Sequence, residues 1–243
     1  STWTFSRDTD LKFDFVAVNY YDGQGFMVKK DLGVASAKEL DGATVCIQTG
    51  TTTELNLADF FKSNGISYTP VTVGDDAEAQ RQYLAGACDT FTTDASGLAS
   101  NRAAMPDPEN HIILPEIISK EPLGPVVRHG DNNWGDIVRW TYYALVSAEE
   151  KGITKANLEE VAAKAATDPN ADPEVKRLLG IGDDNLGAMM GLDKEWAKRA
   201  IAASGNYGEI FEANIGTATP IGLARGLNAQ WTQGGLQYAP PFR

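Results

Sequence analysis

The sequence predicts an α/β protein. Two observations carry that reading. Short β-branched or aromatic runs alternate with helical stretches of about ten residues through the first half of the chain. Asp-Gly, Asn-Gly and Pro stops fall between those segments, as turn chemistry requires. Other classes fall away. The longest apolar runs are pieces such as Ile112-Ile113-Leu114, far short of the roughly 20 residues of a membrane-spanning helix. No heptad or triplet period runs through the 243 residues, and two cysteines are too few for a disulfide scaffold.

Taken in order, residues 12–20 (Lys-Phe-Asp-Phe-Val-Ala-Val-Asn-Tyr) are aromatic and β-branched and read as strand or extended chain. Gly23-Gln24-Gly25 interrupts, and Phe26-Met27-Val28 resumes as a short strand. A short helix over 36–40 ends at the Asp41-Gly42 turn. Residues 43–48 form a compact apolar strand, followed by Thr49-Gly50-Thr51-Thr52-Thr53-Glu54. A helix then places Leu55, Leu57, Ala58 and Phe61 near one face and stops at Asn64-Gly65. Residues 68–73 are strand-like, 75–86 an amphipathic helix, 87–93 a third strand with Asp94 at its carboxyl end, 95–104 a helix stopped by Pro106, and 111–114 a fourth strand.

This alternation signals βαβ units and a parallel sheet, so 29–118 is expected to form a compact α/β lobe. Residues 121–128 read as an extended connector stiffened by two prolines, and 131–243 as largely helical with a break over 167–193. Trp134, Trp140, Tyr142 and Tyr143 have core-like helical spacing and receive no ligand role.

Charge narrows the partners. With 33 acidic against 21 Lys and Arg residues the formal charge is −12, and no basic stripe is present for nucleic acid. Two scattered histidines and two cysteines do not make a four-ligand zinc site, and no metal or cofactor is expected. Neither His111 nor His129 has a Ser or Cys nucleophile nearby, and no paired-carboxylate motif stands out, so catalysis is not expected. The chain opens Ser1-Thr2-Trp3-Thr4, without an initiator Met or secretory leader, and reads as the interior of something longer.

Three polar clusters each admit two readings. Thr51 with Glu54 fits a capping box; the same helix N-terminus presents unpaired N–H groups suited to a carboxylate. It lacks the Gly-Lys-Ser/Thr ending of a nucleotide loop. Thr2-x-Thr4-x-x-Arg7 brings hydroxyls and a guanidinium fork suited to a carboxylate, or else Arg7 pairs trivially with Asp8 or Asp10. Asp94, at a strand's carboxyl end where ligands of open α/β sheets bind, suits an ammonium group, or else caps the helix from 95. Cys46 and Cys88 lie in or beside neighbouring strands; a disulfide is favoured over two buried thiols.

The order of these clusters (Thr-x-Thr-x-x-Arg, Phe-Asp-Phe with Tyr-Tyr, Gly-Thr-Thr, Thr-Thr-Asp) resembles the polar amino-acid-binding proteins of bacterial ABC importers, closest to the general L-amino-acid type. Tyr20-Tyr21-Asp22-Gly23-Gln24-Gly25-Phe26, Glu121-Pro122-Leu123-Gly124-Pro125, Gly205-Asn206-Tyr207-Gly208-Glu209 and the ending around Gly234-Gly235-Leu236-Gln237-Tyr238 extend the likeness over essentially the whole chain. The resemblance implies a type II periplasmic-binding-protein fold: two α/β lobes joined by two crossing strands, closing over ligand by a hinge. On that pattern 1–21 and 131–243 belong to the first lobe, 22–28 and 119–130 are crossings, and 29–118 is the second lobe.

It further implies that Arg7 with Thr2 grips the ligand's α-carboxylate, that Thr51 and Thr52 hold the same group, that Asp94 takes the α-ammonium, and that Gln48 and Thr93 line the side-chain pocket. The implied partners are glutamate, glutamine, aspartate or asparagine, and the permease subunits of an ABC importer; the implied location is the periplasm. Family members begin with strands and helices that have no counterpart before Thr2, so the first lobe is expected to be incomplete and the chain alone to bind weakly or not at all. A receptor's sensing domain and a dehydratase-type enzyme are the alternatives on the same fold.

Overall fold

The structure is a computed structural model that describes residues 2–243. It divides the chain into two compact units, one of residues 2–21, 122–219 and 224–243, the other of residues 22–121 with 220–223. In chain order the elements are β1 (Thr2–Thr4), α1 (Arg7–Asp10), β2 (Asp14–Phe15), β3 (Tyr20–Asp22), β4 (Gln24–Lys29), β5 (Ala43–Gln48), α2 (Thr52–Asn64), β6 (Tyr68–Val73), α3 (Asp76–Leu84), β7 (Thr90–Asp94), α4 (Ala95–Ala103), β8 (His111–Ile113), β9 (Glu121–Val127), α5 (Asn132–Glu150), α6 (Leu158–Thr167), α7 (Pro173–Leu178), α8 (Trp196–Ser204) and α9 (Tyr207–Asn214).

The second unit is built on a five-stranded sheet in the order β6-β5-β7-β4-β8. β5 pairs in parallel with β6 and with β7, whereas β4 runs antiparallel to both β7 and β8. The sheet is therefore mixed, not wholly parallel as the βαβ pattern suggests. The sequence shows a short strand over 26–28, which the structure extends to Gln24–Lys29, but not its direction. Direction is fixed by the route of the chain, which enters this unit straight from β3 and places β4 between β7 and β8.

Both faces of β4 are covered, which is why the strand reads as a continuous apolar run instead of an alternating one. Phe26 and Val28 pack with Val45, Ile47, Leu57 and Phe61 on one side; Met27 packs with Cys46, Tyr83, Phe91 and Leu98 on the other. Cys46 and Cys88 are joined by a disulfide with Cα atoms 5.6 Å apart.

Helix α2 starts at Thr51 and ends at Gly65, whose φ of 66° gives the left-handed C-cap. Its buried stripe is Thr53, Leu57 and Phe61, spaced i, i+4, i+8. Leu55, expected on the buried face, is 69% exposed, because it lies two residues from Leu57 and so points elsewhere on the helix.

In the first unit, β9 is flanked antiparallel by β1 and β2. Gly124 on β9 needs its missing side chain: a Cβ there would stand 2.2 Å from the Ala17 carbonyl oxygen. The run 12–20 is not one strand. Between β2 and β3 its carbonyls are taken by side chains: Val16 O by Arg139 Nε at 2.8 Å, Val18 O by Tyr142 Oη at 3.0 Å and Asn19 O by Tyr207 Oη at 2.9 Å. The helical remainder packs Ala144, Ala148, Ile153, Leu158, Leu178, Trp196 and Ile201 into one core. Trp134, grouped by spacing with the core aromatics, is 53% exposed near the start of α5.

Candidate functional site

Strands β5 and β7 are parallel neighbours, so their carboxyl ends lie at one edge of the sheet. That edge carries Gln48, Thr51 and Thr52 after β5, and Thr93 and Asp94 at the end of β7. The turn at Thr49-Gly50 is tight, with Gly50 at φ 73°, and delivers Thr51 to the N-cap of α2.

The Thr51 hydroxyl donates to Gln48 O at 2.8 Å and accepts from the Glu54 N–H at 3.4 Å. Glu54 does not complete the reciprocal box with the Thr51 N–H; its carboxylate accepts from the Gly50 N–H at 2.8 Å. The first-turn N–H groups of α2 have no acceptor within the helix, and its dipole adds a partial positive charge there. This terminus can receive a carboxylate. Half-buried Gln48 donates through Nε2 to Gly74 O at 3.2 Å.

Asp94 is the unusual group. It occupies the N-cap position of α4 but makes no side-chain cap hydrogen bond. It is half-buried, paired in register with Gln24, and its carboxyl is pushed up to about 7, chiefly by burial and then by Asp22, Glu121 and Asp76. Asp22 is raised as well, again first by burial, against the lowering effect of hydrogen bonds from Ser96 and Gly23. The ion pairs of this unit, Arg81–Glu78 and His111–Asp107, lie elsewhere, and among the described residues no basic side chain pairs with Asp22, Asp94 or Glu121.

Sequence reasoning did not single out Asp22 or Glu121. Glu121 is 2% exposed; its Oε1 accepts from Ser119 Oγ at 2.7 Å and Asn56 Nδ2 at 2.9 Å, while Oε2 is buried without a partner. Ser119 Oγ in turn accepts from the Gln24 N–H at 3.1 Å, and Gln24 Nε2 donates to Thr92 Oγ1 at 2.9 Å. One polar network thus ties α2, β4 and β7 beneath the same sheet edge. A polar Gln24 heading the apolar strand 24–29 was the available signal.

In the other unit, Thr2 lies exposed in β1 opposite Pro125. Arg7 opens the one-turn α1, whose Ser6–Thr9 capping box fixes the turn; its exposed guanidinium pairs with Asp8 at 2.8 Å. A hollow of about 340 Å³ in the same unit, lined by Trp140, Trp196 and Phe242 together with Asp136, Asn185 and Arg243, includes none of the seven ligand-binding candidates singled out from the sequence.

No protein-family model matches the chain. Individual proteins do. The glutamate/glutamine/aspartate/asparagine-binding protein BztA of Rhodobacter capsulatus is 74% identical over 243 residues, covering all of this chain and 70% of BztA. The general L-amino acid-binding periplasmic protein AapJ of Rhizobium johnstonii is 57% identical over 244 residues, again covering all of this chain and 70% of its own length. The chain belongs to the amino-acid-binding proteins of ABC transporters. Among solved structures, a periplasmic binding protein of a Brucella ovis ABC transporter with glutathione bound superposes with a TM-score of 0.92 at 54% identity, covering all of this chain and 75% of that one. The binding-protein fold is accordingly the type II α/β architecture, and the role of an amino-acid-binding protein in that system is that of a solute receptor.

Proposed function

We propose that this amino-acid-binding protein captures a polar L-amino acid, namely glutamate, glutamine, aspartate or asparagine, in the periplasm and delivers it to the permease subunits of an ABC importer. In this reading Asp94 holds the α-ammonium. Thr51 and Thr52 at the start of α2 hold the α-carboxylate, Arg7 and Thr2 are the further groups suited to it, and Gln48 and Thr93 meet the polar side chain. The chemistry asked of these groups is charge matching, with no bond made or broken.

The observation that carries the reading is Asp94: a half-buried carboxyl at the sheet edge, without a capping bond and pushed up to about 7 by burial and three other carboxylates. An ammonium group relieves that charge and replaces the proton. The start of α2 stands at the same edge, ready for the opposite charge of a zwitterion. BztA's named ligands fit this head-group logic. So does the glutathione of the Brucella protein, whose γ-glutamyl end carries the same free α-ammonium and α-carboxylate.

Isothermal calorimetry with the twenty L-amino acids and glutathione tests it. Polar amino acids are expected to bind, and Asp94→Ala to lower their affinity at least tenfold, since losing one partner of a buried charge contact costs about 2–5 kcal/mol. Unchanged binding by the Asp94 variant sinks the assignment.

A further inference from the structure

Asp94 stands where an aspartate ordinarily folds back to cap its own helix, accepting from an N–H two or three residues on. In α4 that N–H is answered by a different carboxylate. Asp22 accepts from the Ser96 N–H at 3.4 Å on each of its oxygens, from the Ser96 hydroxyl, and from the Gly23 N–H at 2.8 Å. The Ala95 N–H meanwhile donates to the Gly23 carbonyl at 2.8 Å. The first two N–H groups of α4, those of Ala95 and Ser96, are therefore answered from residues 22–23, more than 70 positions away in the sequence, and Asp94 makes no cap bond although it holds the N-cap position.

We infer that Asp22 is a positioning residue for ligand binding: by taking over the cap of α4 it keeps the Asp94 carboxylate off the helix terminus and free to accept the ligand's ammonium. The inference rests on the reading of Asp94 given above. Were Asp22 removed, the open N–H groups and positive end of α4 would lie within reach of Asp94 itself. A self-capped Asp94 must break that bond before it can meet a ligand. A cap bond of this kind is worth about 1 kcal/mol, or roughly a fivefold change in an equilibrium.

The charged groups that act on Asp94 are Asp22 next to β4, Glu121 at the start of β9 and Asp76 at the start of α3, all acidic. Two effects of Asp22 can therefore be separated: its hydrogen bonds to α4 and its negative charge. Asp22→Ala removes both. Asp22→Asn removes the charge but keeps an oxygen for the Ser96 N–H.

The experiment uses L-glutamate, L-glutamine, L-aspartate and L-asparagine as probes in calorimetry, with the Asp94 carboxyl followed by carbon-detected NMR across pH 4–9. With Asp22→Ala, affinity is expected to fall about fivefold. The Asp94 titration should move sharply toward acid pH, because a carboxylate that accepts helix N–H bonds is favoured in its charged form. Asp22→Asn is expected to restore most of the affinity while moving the titration only by the loss of a like charge. Ser96→Ala, which removes one hydroxyl at the cap, gives an intermediate loss and serves if Asp22→Ala does not fold.

Native affinity in Asp22→Ala, or in Ser96→Ala where Asp22→Ala does not fold, overturns the inference. So does a loss of affinity in Asp22→Ala with the Asp94 titration unmoved, since that is merely structural damage. The control is Asp94→Ala: if it binds the probes as well as the native protein, the site reading itself fails. If it loses binding while Asp22→Ala does not, only the role of Asp22 fails.

Discussion

Replacing Asp94 by Asn should make the unliganded protein more stable while weakening its hold on ligand, and the gain should depend on pH in a defined direction. Burial, Asp22, Glu121 and Asp76 lift this carboxyl from the usual 3.8 to about 7. At about 1.36 kcal/mol per tenfold change in acidity the full displacement is worth roughly 4 kcal/mol, and solvent screening at a half-buried side chain lowers the working figure to about 2 kcal/mol. The folded value is raised above the unfolded one for an acid, so between about pH 4 and pH 7 the folded chain holds a proton that the unfolded chain has released. Stability contributed by Asp94 therefore falls as pH rises through that window and levels off above it. Asn has no such proton. Its advantage should be near zero at pH 4, grow toward pH 7, and stay at about 2 kcal/mol at pH 8. All five tryptophans lie in the other unit, so fluorescence would report on the wrong part of the chain. Hydrogen exchange at the amides of β4 and β7, without ligand and corrected for intrinsic rates, reads the right one. An Asn advantage that is flat from pH 4 to pH 8, or that shrinks as pH rises, would refute the electrostatic account of Asp94.

Two further predictions concern what holds each unit together. The Cys46–Cys88 bridge spans 42 positions, and the chain-entropy relation gives about 4 kcal/mol for closing a loop of that length. The Cys46→Ala, Cys88→Ala double variant should lose about that much at the β5 and β7 amides, and a loss below about 1 kcal/mol would discount the bridge as a stabiliser. In the other unit, Arg225 meets Glu149 in a two-bond fork at 2.9 and 3.1 Å, with both side chains largely buried, and lies over the rings of Tyr207 and Phe211. Arg225→Ala should cost about 3–5 kcal/mol by leaving a buried carboxylate unpaired, with Arg225→Lys recovering only part because it cannot form the fork. Urea unfolding followed by tryptophan fluorescence checks this, and equal midpoints for Arg225→Lys and the native protein would contradict it.

Some features were legible in the sequence because they are local. The end of α2 at Asn64-Gly65 follows from the need for a left-handed residue after the last turn, and Gly65 takes that conformation. Strands β5 and β6 read directly from their β-branched runs. What was not legible depends on partners distant in sequence. Residues 16–19 have the composition of a strand, yet Arg139, Tyr142 and Tyr207 take their carbonyls, and no local pattern announces that. β4 is recognisable as a strand, but its antiparallel direction belongs to chain routing. Asp22 precedes the Gly23-Gln24-Gly25 interruption and carries no local mark of its role. It does accept from the Gly23 N–H, but its bonds to Ser96 cross 74 positions. Glu121 sat in a stretch dominated by prolines, where a buried carboxylate fed by Ser119 and Asn56 leaves no signature.

The two units treat buried acid groups in opposite ways, and the contrast points to where ligand charge is needed. Glu149 receives an arginine fork, and Gln230 adds a third donor at 3.2 Å, so the charge is matched within the fold. Around Asp94 three further carboxylates contribute and no guanidinium or ammonium answers them among the described residues. Hydroxyl, amide and backbone donors satisfy Asp22 and one oxygen of Glu121, which lowers the cost of those charges without neutralising them. Selection for stability alone favours a basic residue at such a place, or a neutral one at position 94. A carboxyl left without a capping bond beside like charges is instead poised to exchange its proton for a cation from outside. On the proposed assignment, the same electrostatic imbalance that should make Asp94→Asn the more stable protein would give the native side chain its affinity for an ammonium group.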